Sequence, residues 1–288
     1  MILPGSHSQS LAARLAAATD HDLARVTYDQ FPDGELCAAL TEADADALAG
    51  THAVVVASTL TSDAHLELLQ LQDAAREAGA AEVTTVLPYM GYGRQDEAFT
   101  PGQPVSARAV AGAISAGTDR VLLVSPHEPD VADFFDVPCE TVAAAPRLAE
   151  PLPDDLADPV FVAPDEGAIA IAERARDAYG AGTADYFEKE RDYDTGDVEI
   201  SPGNTDVAGR DVVLVDDIVA TGSTMSEAID ALHDREVGRA FVVCVHPLLV
   251  GNARTKLERA GLAGIWGTDT VERDVSAVSV APVLAEFV

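Results

Sequence analysis

Asp216 and Asp217 stand side by side at the end of a short apolar run, Val212 to Val215, and shortly after them the chain reads Thr221-Gly222-Ser223-Thr224. Carboxylates at such a place can accept hydrogen bonds from sugar hydroxyls or hold a cation. Small and hydroxylated residues where a helix begins offer free backbone N–H groups, hydroxyl donors and the positive end of the helix dipole, which together make an anion site. Acids that merely end a strand and hydroxyls that merely cap a helix would explain each half alone. Their adjacency points to one ligand with a hydroxylated ring and a phosphate, a sugar phosphate.

The elements around these residues can be read from the pattern. Val212 to Val215 is β-branched and continuous, as expected of a central parallel strand buried on both faces, and Met225, Ile229 and Leu232 recur at helical spacing behind the loop. Upstream, Ser8 precedes Leu11 and Leu15, so a serine-capped helix opens the chain. Phe31-Pro32-Asp33-Gly34-Glu35 reads as the turn of a surface hairpin. Strands are expected at 53–57, 83–87 and 121–124, and a helix at 64–79 with Leu66, Leu69 and Ala74 or Ala75 on its buried face. Pro88 to Asp96, with Gly91, Gly93 and Arg94, leaves a strand end where α/β proteins place ligands, and Arg94 suits planar contacts with a phosphate. His127 projects from another such end, just after Ser125-Pro126.

The proline- and acid-rich stretch from Pro146 to Pro159 is the best domain boundary. Beyond it a strand at 160–163 leads into Pro164-Asp165-Glu166-Gly167, a second acid and small-residue turn. Tyr186 to Asp192 ends a further strand and enters a polar segment through Gly196 that reads as a mobile loop carrying Lys189 and Arg191. Strands at 240–245 and 263–268 and a helix at 250–260 complete the second unit. The last apolar segment, 275–288, is too short for a domain and must pack back on another. The coarse pattern is two successive α/β units with no Walker A sequence, so any bound ATP is not held by a P-loop.

Composition narrows the partners. With 49 acids against 18 lysines and arginines the formal net charge is -31, and the only lysines are Lys189 and Lys256. Nucleic acid is disfavoured, because phosphate contacts need a basic face. Acids spread along the whole chain describe a surface suited to molar salt, where the screening length falls to about 3 Å. No stretch has the length and apolarity of a membrane helix, the N-terminus lacks the basic region of a signal peptide, and Cys37, Cys139 and Cys244 have no metal-ligand spacing. A cytoplasmic protein without membrane partners is expected.

The loop from Asp216 to Thr224 resembles the 5-phosphoribosyl diphosphate (PRPP) loop shared by type I phosphoribosyltransferases and PRPP synthetases. Tyr92-Gly93-Arg94-Gln95-Asp96, Phe31-Pro32-Asp33-Gly34-Glu35 and Ser279 to Leu284 extend the resemblance to PRPP synthetases over nearly the full length, and Ser125-Pro126-His127-Glu128 is similar to the archaeal branch. The resemblance implies two tandem phosphoribosyltransferase-like domains, each a mainly parallel sheet flanked by helices: residues 1–145, joined by 275–288, and residues 146–274. It implies Mg²⁺-dependent transfer of the diphosphate of ATP to O1 of ribose 5-phosphate, giving PRPP and AMP. ATP would meet Arg94, Gln95 and His127, with Phe31, Asp33 and Glu35 from a neighbouring subunit of a homo-oligomer. His127 and Asp165 would serve as metal positions. Asp216 and Asp217 would meet the ribose hydroxyls, and Thr221, Gly222, Ser223 and Thr224 the 5-phosphate. Lys189 and Arg191 fall on the family's catalytic loop. The chain departs from the common pattern at Ala220, where an acid is usual, at Ser223, where a second glycine is usual, and at Ser125, which replaces an acid. A PRPP-consuming transferase and a non-catalytic regulatory homologue are the alternatives.

Overall fold

The computed structural model of the chain describes residues 1–191, 198–202 and 205–288, with the backbone alone for 188–191 and 198–202. The protein forms two units. The first comprises residues 1–143, 269–272 and 279–288; the second, residues 144–268 and 273–278.

In chain order the first unit runs β1 (Ile2–Pro4), α1 (Gln9–Ala18), β2 (Val26–Gln30), β3 (Leu36–Leu40), α2 (Glu42–Leu48), β4 (His52–Val56), α3 (Ser62–Glu77), β5 (Glu82–Leu87), α4 (Ser106–Ser115), β6 (Arg120–Val124) and β7 (Cys139–Val142). Its sheet has the order β1-β4-β5-β6-β7, parallel throughout, while β2 and β3 form a separate antiparallel hairpin. Val55, Val83, Leu87, Val121 and Leu123 from the sheet and Leu68, Leu71 and Ala75 from α3 share one apolar core. The buried positions of α3 are Ala64, Leu68, Leu71, Gln72 and Ala75. Ala64, Leu68, Leu71 and Ala75 lie three and four residues apart, a helical stripe that Gln72 widens. Leu66, expected on that stripe, is off it and exposed.

The second unit contains β8 (Val160–Ala163), α5 (Ile169–Tyr179), β9 (Thr183–Arg191), β10 (Val198–Pro202), β11 (Val212–Ile218), α6 (Ser223–His233), β12 (Ala240–His246), α7 (Ala253–Arg259), β13 (Gly264–Thr268) and β14 (Ser276–Val278). Its sheet has the order β10-β9-β8-β11-β12-β13-β14, with β10 alone antiparallel to its neighbour among the described strands. Val212 to Val215 are wholly buried between β8 and β12, which is why the run needs no polar alternation.

Three further expectations change. A strand, β1, precedes the first helix, and Ser8 does not cap α1: its hydroxyl accepts from Ser58 N at 2.8 Å instead. The first N–H groups of α1, on Ser10 and Leu11, donate to the Glu272 carboxylate at 2.7 and 3.1 Å, so an acid distant in sequence does the capping. Lys189 and Arg191, expected in a loop, lie on β9, whose backbone pairs with β10 from Phe187 through Arg191. The polar segment could pair because the chain returns at Val198 as a second strand; the intervening residues 192–197, part of the expected mobile loop, lie outside the described residues. Finally, segment 275–288 does not join the first unit whole. Ser276–Val278 are β14 of the second sheet, whereas α8 (Ala281–Leu284) packs against α1 in the first unit.

Candidate active site

In the second unit the parallel strands deliver their functional residues to one sheet edge, the carboxyl end. Asp216 and Asp217 close β11. Asp217 N donates to Asp216 Oδ1 at 2.9 Å, and Ile218 N donates to Asp217 Oδ1 at 2.8 Å, which fixes both carboxylates against the backbone. On the neighbouring strand β8, Asp165 follows Ala163 and accepts from Ala168 N at 3.3 Å, capping a single helical turn. Burial pushes the Asp216 carboxyl well above the ordinary carboxylate range, and the negative charges of Asp217 and, more weakly, Asp165 push it the same way. A carboxyl raised by two neighbouring acids is an arrangement that a cation or a set of hydroxyl donors relieves.

After β11 the chain turns through Val219 and Ala220 into the hydroxyl-rich loop Thr221 to Thr224. Gly222 stands just before α6 with φ of 71°, a left-handed angle natural to glycine, and a Cβ there would come within 3.2 Å of the Ala253 carbonyl oxygen. With glycine in the capping position, no side chain caps α6, and the first-turn N–H groups remain for an anion. Thr221 and Thr224 are exposed, Ser223 half-buried. A short strand-like clasp holds the turn: Leu249 N donates to the Val219 carbonyl and Val250 N to the Ala220 carbonyl, both at 3.0 Å. Lys256 on α7 donates from Nζ to Ser223 Oγ at 2.8 Å.

The paired backbones of β8 and β9 end at Ala163 and Tyr186, so the stretch of β9 from Phe187 to Arg191 runs on beyond the carboxyl end of β8. This places the backbone of Lys189 and Arg191 past the edge that carries Asp165; their side chains lie outside the described residues.

In the first unit, the turn at 31–35 joins β2 to β3, with Gly34 at φ of 95° and Phe31, Asp33 and Glu35 exposed, matching the expected hairpin. Phe31 N donates to the Glu35 carbonyl at 2.8 Å, and Glu35 N donates to Asp33 Oδ1 at 3.2 Å. The loop after β5 is anchored differently. Gly91 N donates to Thr59 Oγ1 at 2.9 Å, and the Thr59 carbonyl lies so close that no side chain fits at position 91. Tyr92 sits in the left-handed region at φ of 64° and is exposed, its ring 5.5 Å from that of His65. Arg94 is exposed, while Gln95 is held by Ser106 Oγ donating to its Oε1 at 2.5 Å. His127 lies exposed beyond β6, past Ser125 at φ of 39°.

Three residues beside the candidate site residues carry no signal in the sequence: Thr59, which braces the Gly91 turn; His65, whose burial lowers its pKa to about 4 so that a neutral ring packs beside Tyr92; and Lys256, which meets Ser223. Each reaches its partner across some thirty residues, and neither periodicity nor turn chemistry signals such a meeting. Among the described residues no group of three or more histidine, cysteine or acidic side chains is gathered closely enough to hold a metal ion by itself. No described helix is long and apolar enough to cross a membrane.

Comparison with known proteins adds a consistent picture. Residues 1–117 match the family described as the N-terminal domain of ribose phosphate pyrophosphokinase, and residues 141–279 match the phosphoribosyl transferase domain. The chain is 62% identical over 286 residues to a ribose-phosphate pyrophosphokinase of Halobacterium salinarum, covering 99% of each chain. It is 43% identical over 291 residues to one from Methanopyrus kandleri, covering 100% of this chain and 98% of that one. Among solved structures it is similar to the phosphoribosylpyrophosphate synthetase of Mycobacterium smegmatis, with a TM-score of 0.84, 26% identity, and coverage of 100% and 96% of the two chains.

Proposed function

Since this chain belongs to the ribose-phosphate pyrophosphokinase family, we propose that the residues gathered at its strand ends carry out diphosphate transfer from ATP to O1 of ribose 5-phosphate, giving PRPP and AMP. The observation that carries the assignment of residues is the carboxylate pair of half-buried Asp216 and buried Asp217, standing shortly before a glycine-opened helix. The ribose hydroxyls donate to Asp216 and Asp217, and the 5-phosphate rests on Thr221, Gly222, Ser223 and Thr224.

ATP is held by Arg94 and Gln95, by His127, and by Phe31, Asp33 and Glu35 of a neighbouring subunit in a homo-oligomer. The exposed hairpin carrying those three residues supports that reading, because a turn projecting on its own two-stranded ribbon is suited to completing another subunit's pocket. Attack by O1 on the β-phosphorus asks the protein mainly for alignment and fixed positive charge, since the bond to AMP breaks as the new one forms. Lys189 and Arg191 supply that charge from beyond the sheet edge. No general base is assigned: position 220 is alanine, without a carboxylate to take the O1 proton.

The donor set fits magnesium, a hard cation that prefers carboxylate and phosphate oxygens and keeps several waters. Asp165 lies electrostatically beside Asp216, and no described cation pairs with Asp216. His127 would contact one magnesium position and Asp165 would offer a second, and bound magnesium would neutralise charge on the phosphate oxygens. The protein acts in the cytoplasm on these small molecules, without nucleic acid or membrane.

The test is a single reaction of the full chain with Mg²⁺, ATP and ribose 5-phosphate in molar KCl. AMP and PRPP should accumulate in equal amounts, each dependent on ribose 5-phosphate; release of ADP instead of AMP would rule the transfer out.

A further inference from the structure

We propose that Lys256 is a phosphate-binding residue of the ribose 5-phosphate site and that Ser223 holds it in place; this rests on the reading of Thr221 to Thr224 as the 5-phosphate loop. Without it the described loop offers an anion only neutral donors: backbone N–H groups and the hydroxyls of Thr221, Ser223 and Thr224. Lys256 brings a full positive charge to the same place. Its Nζ lies 2.8 Å from Ser223 Oγ, although the two residues are 33 apart in sequence.

The charge of Lys256 is not spent elsewhere. The acid next to it on α7, Glu258, is engaged by Arg254, whose Nε donates to Glu258 Oε1 at 2.9 Å. Among the described residues no carboxylate forms an ion pair with Lys256, in a chain with 49 acids and 18 lysines and arginines. On so acidic a surface a half-buried ammonium that meets only a hydroxyl is conspicuous. An ammonium has three N–H donors, and Ser223 takes one. The others remain for anionic oxygens.

Ser223 is matched to this task. Its Oγ accepts from Lys256 at 2.8 Å and from Thr221 Oγ1 at 3.4 Å. A hydroxyl has two acceptor lone pairs and one proton, so once both lone pairs are occupied the proton is left to donate outward. A glycine here, usual in the family pattern that the loop resembles, would supply neither the anchor for Lys256 nor that proton. The geometry is also fixed by the backbone. Leu249 and Val250 clasp Val219 and Ala220, and Gly222 abuts the first turn of α7 at Ala253, so the helix carrying Lys256 and the loop carrying Ser223 move as one piece.

The experiment is steady-state kinetics of the full chain in molar KCl, with Lys256→Met, Lys256→Arg and Ser223→Gly beside the wild type. Losing a charge-assisted contact to phosphate should raise KM for ribose 5-phosphate at least ~10-fold in Lys256→Met, with KM for ATP within about twofold. Lys256→Arg keeps the charge and should stay within about threefold of wild type; Ser223→Gly, which loosens the lysine without removing it, should fall between the two. Melting temperatures should match, because Lys256 makes no described contact that the fold depends on. The inference is overturned if Lys256→Met uses ribose 5-phosphate as the wild type does, if KM rises equally for both substrates, or if Lys256→Arg is as impaired as Lys256→Met. The two readings fail distinguishably: an active wild type with a normal Lys256→Met removes the lysine alone, whereas a wild type that releases no AMP in response to ribose 5-phosphate removes both.

Discussion

The strand β11 has an aspartate at each end, and the two are treated in opposite ways. Asp211, just before the strand, is buried and surrounded by donors: Ala157 N at 2.7 Å, Arg239 N at 2.9 Å and Arg239 Nη2 at 2.6 Å. Burial alone would raise its carboxyl, but the hydrogen bonds from Arg239 and Ala157 outweigh burial and hold it below the ordinary range. At the other end, Asp216 is raised by burial and by the neighbouring carboxylates, with no described cation to offset them. A charge buried with its partner serves the fold. A charge buried beside like charges costs stability, and it persists where a ligand supplies the missing partner. The amino end of β11 is thus structural, and the carboxyl end is the proposed binding site.

The largest effect should come from the residues furthest beyond that carboxyl edge. Lys189→Ala or Arg191→Ala should lower kcat by at least ~10²-fold, as loss of a preorganised charge at a developing anion does, while the melting temperature stays put. A near-normal kcat in both variants would take the extension of β9 out of the mechanism.

Next in size, Asp216→Asn and Asp217→Asn should each cut kcat/KM for ribose 5-phosphate about 10–10²-fold, the magnitude of a lost hydrogen bond to a charged acceptor, with KM for ATP little changed. Asparagine keeps the Oδ1 that accepts the next residue's N–H, so the turn should survive. Equal losses for both substrates would erase the contrast between the strand's two ends.

Asp211→Ala should reverse the pattern. It strands the N–H groups of Ala157 and Arg239, which should destabilise the protein by about 2–4 kcal/mol in chemical denaturation and leave KM for ribose 5-phosphate as in the wild type.

The smallest effect is a difference in pH dependence, read as melting temperature in magnesium-free buffer. The Asp211 value is depressed in the fold, so its contribution is present above the ordinary value of 3.8 and is lost as pH falls. The Asp216 value is raised, so the folded state holds the proton longer than the unfolded one, and stability is lost as pH rises from 3.8 through the folded value. Asp216→Asn should therefore melt close to wild type in acid and above it at neutral pH, whereas the deficit of Asp211→Ala should be widest at neutral pH. Parallel curves for the two variants would contradict the assignment of opposite shifts.

Much of this is legible in the sequence alone. The uninterrupted apolar run Val212 to Val215 of β11 marks a strand buried on both faces, and the hydroxyl loop marks the helix start, because both signals are local. The turn at 31–35 was legible for the same reason. What escaped were features set by distant chain: the cap of α1, supplied by Glu272 instead of Ser8; the extension of β9, which depends on the return of the chain at Val198; and the division of segment 275–288, whose short strand adds to one sheet while its helix packs on the other unit. Lys256 escaped likewise, since a lysine on an exposed helix carries no mark of what it will meet.

The most direct test of the division between the ends of β11 is the rise in melting temperature on adding ribose 5-phosphate, measured with magnesium present for the wild type, Asp211→Ala and Asp216→Asn. Ligand that binds only the folded state raises its stability in proportion to occupancy. Asp211→Ala should start lower and rise by the same amount as the wild type, whereas Asp216→Asn should start at or above the wild type and rise little. Equal rises in all three proteins, or a rise lost in Asp211→Ala and kept in Asp216→Asn, would contradict the placement of the sugar at the carboxyl end.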